Sequence, residues 1–228
     1  MDNLLISVVI FGRDNENTIG KVLESVKPFA DEILYLDTGS TDKTLEIVRQ
    51  YTKRVYIVEN MVYRNNANFR NFLNSEANGK WVLFLDTDEV VTQNLSLNIK
   101  YFLKSLETTP NVHHIHFKYV NLVYDEKHML TTPDFHPFIY HPRLALKEYA
   151  KWIGDRNENY IGGGEGMFWS IFGIVHYNLL DIKRLRTKWI NDCGMFGEVY
   201  RSEITDEEIL KKFIGQSTIA EVPKEVIW

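Results

Sequence analysis

Residues 5–92 alternate between short apolar segments and longer segments that carry apolar residues at helical spacing. The predicted strands are Leu5–Phe11, Ile33–Leu36, Val55–Val58 and Trp81–Leu85, and the predicted helices between them are Asn17–Val26, Asp42–Tyr51 and Asn66–Glu76. Strands that alternate with helices of this length form a parallel sheet with right-handed crossovers. We therefore expect an α/β fold with a Rossmann-like, mostly parallel sheet flanked by helices.

The second half of the chain has a different pattern. A helix is predicted at Leu95–Leu106, and the alternating segments His113–Leu122 and Tyr124–Leu130 predict a hairpin or an addition to the sheet edge. The glycine-rich, polar stretch Ile153–Gly166 is interpreted as a loop over a site. Since no linker is visible, the sequence predicts a single domain over residues 1–228, with a parallel half at 1–92 and a half of mixed strand direction at 93–228.

Composition restricts the function classes. The 228 residues are 44% hydrophobic with a net charge of −5, which argues against a general nucleic-acid partner. The single cysteine, Cys193, excludes an internal disulfide and a cysteine-based zinc site. The start of the chain lacks the pattern of a signal peptide, so a cytoplasmic location is expected. The basic run Lys183–Lys188 leaves open a peripheral contact with the inner face of a membrane.

Polar clusters follow each of the four predicted strands. They are Gly12–Asn17, Asp37–Asp42, Tyr63–Asn66 and Asp86–Glu89. Because the carboxyl ends of parallel strands share one edge of a sheet, these clusters are expected to converge on one crevice. A nucleotide would suit such a crevice, although neither a G-x-G-x-x-G segment after the first strand nor a P-loop is present.

The segment Asp86-Thr87-Asp88-Glu89 ends the apolar strand Trp81–Leu85. Two carboxylates one residue apart suit Mg²⁺ or Mn²⁺ held jointly with substrate phosphates. The alternative is a strand followed by a solvated acidic turn.

These segments, in this order, resemble glycosyltransferase family 2, which has the GT-A fold. The matching stretches are Val8–Glu16, Leu23–Val26, Asp37–Thr44, Asn68–Asn71 and Trp81–Glu89. The chain is most similar to the branch with D-T-G-S-T-D and D-x-D-E motifs, which includes lipopolysaccharide-core sugar transferases and the S-glycosyltransferases of glycocin peptides.

The resemblance implies roles for individual residues in the first half. Asp37 would contact the base of a nucleotide-sugar donor, and Arg70 would lie near the nucleotide. The residues implied in donor binding are Phe11, Arg13, Asp37, Arg70, Asp86 and Thr87, and those implied in metal binding are Asp86, Asp88 and His176.

The resemblance implies that residues 1–92 bind the nucleotide sugar and that residues 93–228 form the acceptor side. This second half matches the branch through Arg143–Leu146, Trp152–Glu158 and His176–Leu179. Here Asn157 stands where the family has the histidine before the glutamate. Glu158 takes the position of the general base, and Asp155 is the second candidate.

The predicted function is a metal-dependent, inverting glycosyltransferase that moves sugar from a UDP-sugar to a hydroxyl or thiol. The acceptor would be a glycan, a lipid-linked glycan or a peptide, and the metal would be Mn²⁺ or Mg²⁺. One alternative is a non-catalytic nucleotide-sugar-binding protein of the same fold. Another is a phosphatase of the haloacid dehalogenase type that uses Asp86 as nucleophile and Asp88 as acid, although that motif normally lies on the first strand of its domain.

Overall fold

The computed structural model describes residues 4–58, 65–109, 111–123, 125–131, 140–154, 159–179, 218–224, 226 and 228. The strands in these ranges are β1 Ile6–Gly12, β2 Glu32–Asp37, β3 Val55–Ile57, β4 Trp81–Leu85, β5 Glu89–Val91, β6 Val112–Val123, β7 Asp125–Thr131, β8 Tyr140–Leu146, β9 Trp152–Ile153, β10 Asn159–Tyr160, β11 Glu165–Leu179 and β12 Thr218–Glu221. The α-helices are α1 Ile19–Val26, α2 Thr44–Val48, α3 Asn66–Glu76 and α4 Gln93–Ser105, and a 3₁₀ turn follows at Leu106–Thr108.

Within the described residues, one ten-stranded sheet contains strands from both halves of the chain. Eight of them follow the order β12-β7-β6-β8-β4-β1-β2-β3, and β11 and β5 lie off this path. The neighbours β3, β2, β1 and β4 run parallel, whereas β8 is antiparallel to β4 and to β6. Strand β11 is parallel to β6 and antiparallel to β5. The parallel sheet with a mixed second half is therefore confirmed.

The two faces of the sheet form two hydrophobic clusters. Along β1, Val8 and Ile10 pack on one face with α1 and α4, whereas Val9 and Phe11 pack on the other face with α3. Every residue of β4 is buried, so this strand is covered on both faces. Burial of a large apolar side chain contributes about 1.5–3 kcal/mol to the free energy of folding. Packing on both faces therefore stabilises this arrangement of strands.

Helix α3 begins at a defined cap. The Asn65 side chain accepts a 2.8 Å hydrogen bond from the main-chain N–H of Asn68, which satisfies one donor of the first helical turn. The helix then buries Leu73 and Phe69 against the sheet. The same face carries Arg70, which is only 1% exposed. The cap fixes the start of α3 and therefore the position at which Arg70 lies in the core.

Several predicted bounds agree with the structure, and one prediction is wrong. The predicted α3 and β4 match residue for residue, and β6 and β7 form the expected antiparallel pair. The stretch Ile153–Gly166 is not one loop, because β9 and β10 pair with each other and β11 already begins at Glu165. The long pairing of β11 with β6 extends this strand into the glycine-rich segment.

Candidate active site

The loops after β1 and β2 are interlocked by hydrogen bonds. Asp14, with a positive φ of 52°, accepts a 2.7 Å bond from the main-chain N–H of Thr41. Glu16 and Lys43 are linked by a 3.0 Å bond from the Lys43 N–H to Glu16 Oε2. Asp42 accepts from the Thr44 N–H at 2.9 Å, as expected of a residue at a helix start. The two polar clusters therefore form one connected rim at the strand ends.

Asp37 is the last residue of β2 and is 1% exposed. Its Oδ2 accepts from the N–H groups of Gly39 and Ser40 at 2.9 and 2.8 Å, and its Oδ1 accepts from Ser40 Oγ at 2.5 Å. Gly39 has a φ of +101°, a conformation that a residue with a Cβ rarely adopts. Asp37 therefore shapes the loop that follows it, and Oδ1 retains acceptor capacity for a ligand.

Arg70 lies inside the structure rather than on a solvated helix face. Its Nη2 donates a 2.6 Å hydrogen bond to Oδ1 of Asp86. The guanidinium carbon lies 5.1 Å from the ring centroid of Phe11 and 4.8 Å from that of Trp152. A buried guanidinium requires such a charged partner and aromatic neighbours, since isolated burial of a charge costs several kcal/mol.

Asp86 is bound by two arginines. Arg70 contacts Oδ1, and Nη2 of Arg143 donates to Oδ2 at 2.8 Å. Although burial opposes it, the charges of Arg143 and Arg70 hold the pKa of Asp86 well below its usual range. The carboxylate keeps 35% of its side chain exposed, so it faces the crevice while both of its oxygens are paired.

Glu89 is buried and bonds both to Arg143 and to the main chain of Asp86. It is 1% exposed, its Oε1 accepts from Arg143 Nη2 at 2.6 Å, and its Oε2 accepts from the main-chain N–H of Asp86 at 3.0 Å. Tyr119 donates its hydroxyl to the same Oε1 at 3.0 Å and accepts from Arg143 Nε at 2.8 Å. Burial raises the pKa of Tyr119 well above its ordinary value, which keeps this hydroxyl protonated as a donor.

Asp88 and His176 meet on the other side of the acidic turn. His176 Nε2 lies 3.7 Å from Asp88 Oδ1, and His176 Nδ1 lies 2.9 Å from Asn121 Oδ1. The tautomer in which Nδ1 donates to that amide oxygen leaves the lone pair on Nε2, the nitrogen near Asp88, where a metal ligand needs it. One carboxylate and one imidazole fit a Mn²⁺ or Mg²⁺ ion that takes its remaining ligands from a diphosphate. Within the described ranges no group of three His, Cys, Asp or Glu side chains could hold a metal.

The other predicted donor-binding residues lie around the same strand ends. Phe11 is buried, and its ring packs against that of Phe69 with the ring centroids 5.4 Å apart. Thr87 is 6% exposed and packs against Gly12, where an added Cβ would come within 2.4 Å of Thr87 Cγ2. The Arg13 side chain is 55% exposed and pairs with Asp14 at 3.1 Å. Of these three, Phe11 also contacts Arg70, whose guanidinium carbon lies 5.1 Å from its ring centroid.

Glu158 and Asp155, the two candidates for the general base, lie outside the described residues, as does the basic run Lys183–Lys188. The segment that leads to these two candidates is held by α3. Asn71 donates from Nδ2 to the Trp152 carbonyl at 2.9 Å and accepts from the Trp152 N–H at 3.0 Å. The helix that carries Arg70 therefore also fixes the entry to this segment.

Sequence reasoning missed the contributions of Arg143 and Tyr119. The family resemblance includes Arg143 in a matching stretch but implies no role for it. A sequence signal existed, because two carboxylates that are to be buried next to each other, here Asp86 and Glu89, require a nearby cation. The sequence did not indicate which of 26 lysines and arginines supplies it.

The chain belongs to glycosyl transferase family 2, whose family model matches residues 6–172. It is 31% identical over 100 residues to an uncharacterized glycosyltransferase of Rickettsia typhi, a match that covers 44% of this chain and 33% of that protein. It is 29% identical over 110 residues to the Escherichia coli UDP-Glc:alpha-D-GlcNAc-diphosphoundecaprenol beta-1,3-glucosyltransferase WfgD, covering 46% and 44%. The matched part thus spans about a third to under half the length of these curated relatives.

The fold is similar to that of solved glycosyltransferase structures. TarS 1–349 of S. aureus matches with a TM-score of 0.56 and 16% identity, over 92% of this chain and 71% of that one. The same protein in complex with UDP-GlcNAc matches with a TM-score of 0.55 and 15% identity, over 92% and 72%. The predicted GT-A fold is confirmed. No helix within the described ranges combines the length and apolar character needed to cross a membrane.

Proposed function

We propose that this protein transfers a sugar from a nucleotide-diphosphate sugar, a UDP-sugar, to a hydroxyl or thiol of an acceptor, with inversion at the anomeric carbon. The observation that carries the proposal is the placement of Asp86, between Arg70 and Arg143, beside the Asp88–His176 pair at the ends of parallel strands. Ligands bind at this edge in open α/β sheets. Family membership and the E. coli relative, whose name includes UDP-Glc, support the choice of donor.

Different residues at the strand ends would contact different parts of the donor. The Asp37 loop would receive the base, and Arg70 and Asp86 would lie near the ribose and the diphosphate. Asp88 and His176 would hold Mn²⁺ or Mg²⁺ together with diphosphate oxygens. A bound divalent ion supplies positive charge that stabilises the leaving diphosphate.

Bond formation requires a base on the acceptor side. Glu158, with Asp155 as the second candidate, would remove the proton from the acceptor hydroxyl or thiol. The acceptor oxygen or sulfur would then bond to the anomeric carbon while the bond from that carbon to the diphosphate breaks. Because this is one displacement from the opposite face, the sugar configuration inverts.

The donor assignment is tested by isothermal titration with UDP, with and without Mn²⁺, combined with a turnover assay on UDP-sugars. Asp88→Asn should abolish turnover and Mn²⁺-dependent UDP binding while the fold is retained, since a ligand charge is lost rather than a packing contact. Glu126→Gln is the matched control, because that carboxylate pairs with Lys21 and is 51% exposed. Full activity of Asp88→Asn in metal-free buffer would contradict the metal assignment.

The identity of the sugar can be found with the same protein. A thermal-shift screen of nucleotide sugars, with and without Mn²⁺, should show one selective stabilising ligand, because a ligand that binds the folded state raises stability by mass action. UDP binding without turnover of any sugar nucleotide would instead favour a non-catalytic binding protein of the same fold.

A further inference from the structure

A row of ring side chains runs from the candidate active site to the protein surface. We call it the aromatic row, and it consists of Trp152, Tyr160, His114, His116 and Phe168. The ring centroids of successive members lie 5.5, 4.9, 5.0 and 4.9 Å apart. At its inner end, Trp152 lies 4.8 Å from the guanidinium of Arg70. The row is therefore continuous with the group that binds Asp86.

The outer end of the aromatic row is open to solvent. Phe168 is 57% exposed, and its ring stacks on that of His116 at an interplanar angle of 28°. At its inner end, Trp152 is only 4% exposed. The ring of Phe168 therefore adds exposed apolar surface at the outer end of the row, four ring contacts away from Trp152.

The row also carries polar groups suited to an uncharged ligand. Burial lowers the pKa of His116 to about 4 and lowers that of His114, so both imidazoles are neutral near pH 7. A neutral imidazole offers one donor and one acceptor. Within the part of the chain that the structure describes, His114 Nδ1, Tyr160 OH and Trp152 Nε1 are buried without a hydrogen-bond partner. These three atoms therefore retain hydrogen-bonding capacity that the described residues leave unused.

The main chain beneath the row is not available to a ligand. His114 pairs with Ala145 of β8 on one side and with Gly166 of β11 on the other. Strand β6 therefore cannot accept a peptide by strand addition at this position, and recognition there must use side chains.

We propose that the aromatic row binds the saccharide portion of the acceptor, with a sugar ring stacked on Phe168 and sugar hydroxyls bonded to His116 and His114. A pyranose has an apolar C–H face and a polar rim, which is the combination that these side chains match. The proposal rests on the proposed function and selects a glycan-bearing acceptor over a peptide.

The test is a printed array of bacterial oligosaccharides probed with labelled protein in the presence of UDP and Mn²⁺. Wild type should bind one or more glycans, and Phe168→Ala should weaken that binding by about tenfold or more. Phe168→Leu, which keeps apolar bulk and removes the ring, should also weaken it. Tyr101→Ala is the matched control, because Tyr101 is an 81% exposed aromatic residue on α4, outside the row.

Each outcome bears on a separate conclusion when UDP titration is run on the same samples. Wild type that binds UDP but no glycan, or variants that bind glycans like wild type, would overturn the assignment of the aromatic row. A wild type that fails to bind UDP would count against the proposed function itself. Circular dichroism of both Phe168 variants must match wild type, and the leucine variant decides the result if the alanine variant does not fold.

Discussion

Arg143 bonds to Asp86 across 57 positions of sequence, with Nη2 placed 2.8 Å from Oδ2. Arg143 belongs to β8 and Asp86 follows β4, two strands that pair antiparallel in the centre of the sheet. The same nitrogen bonds to Glu89 at 2.6 Å. The acidic turn implied in donor binding is therefore held by the half of the chain predicted to bind the acceptor.

Arg143→Met should destabilise the fold. Glu89 is 1% exposed and would lose its cationic partner, and leaving one charge of a buried pair alone costs about 3–5 kcal/mol. Urea unfolding followed by circular dichroism measures this loss. Arg13→Met is the control, since the Arg13–Asp14 pair is 55% and 39% exposed and should contribute about 0–1 kcal/mol.

A second substitution separates lost charge pairing from lost packing. Glu89→Gln in the Arg143→Met background removes the unpaired carboxylate, so the double variant should regain part of the lost free energy of unfolding. If the double variant is as unstable as the sum of the two single variants, the two residues are not coupled and this explanation is wrong.

Asn71→Ala should lower kcat by about 10–100-fold while UDP affinity changes much less. The side chain holds both main-chain groups of Trp152, and a shift of about 1 Å in a positioning element can cost that much in rate. Steady-state kinetics and UDP titration provide the two readouts. Asn98→Ala on α4, whose amide bonds to the Asn94 carbonyl of the same helix at 2.8 Å, is the control. Reduced thermal stability with an unchanged kcat would indicate a merely structural role for Asn71.

The sequence predicted the parallel half of the fold well because its signals are local. Apolar spacing and turn residues gave the bounds of α3 and β4 correctly. The burial of Arg70 was not predictable in this way, since it depends on Asp86 and on Trp152, which is 82 residues further along the chain. Similarly, β9 and β10 are two residues each, too short for any period to show.

The stability of the fold should fall between pH 6.5 and 4 in a way that depends on His116. Burial lowers the folded-state pKa of His116 to about 4, below the value of about 6.5 expected in the unfolded chain. In this window the unfolded state binds the proton more readily, so the free energy of unfolding decreases as pH falls. In His116→Gln the decrease between pH 7 and pH 5, measured by urea unfolding, should be smaller than in wild type. An equal decrease in both proteins would show that His116 does not contribute. Part of the decrease that remains in His116→Gln is expected from His114, because burial also lowers its pKa.

Asp37→Ala should weaken the binding of free UDP as well as of the donor sugar, because Asp37 is expected to bond to the nucleoside. A hydrogen bond to a charged group contributes about 1.5–3 kcal/mol, which corresponds to roughly tenfold to a hundredfold in affinity. Since Asp37 also holds its own loop, Ser40→Ala is the control. It removes the bond to Oδ1 and the 3.0 Å bond from the Asp14 N–H to Ser40 Oγ, and it leaves the two main-chain bonds to Oδ2. We expect Ser40→Ala to bind UDP within about threefold of wild type. If both variants lose affinity equally, Asp37 acts through the loop alone, and if Asp37→Ala binds UDP like wild type, the nucleotide lies elsewhere and the proposed function is contradicted.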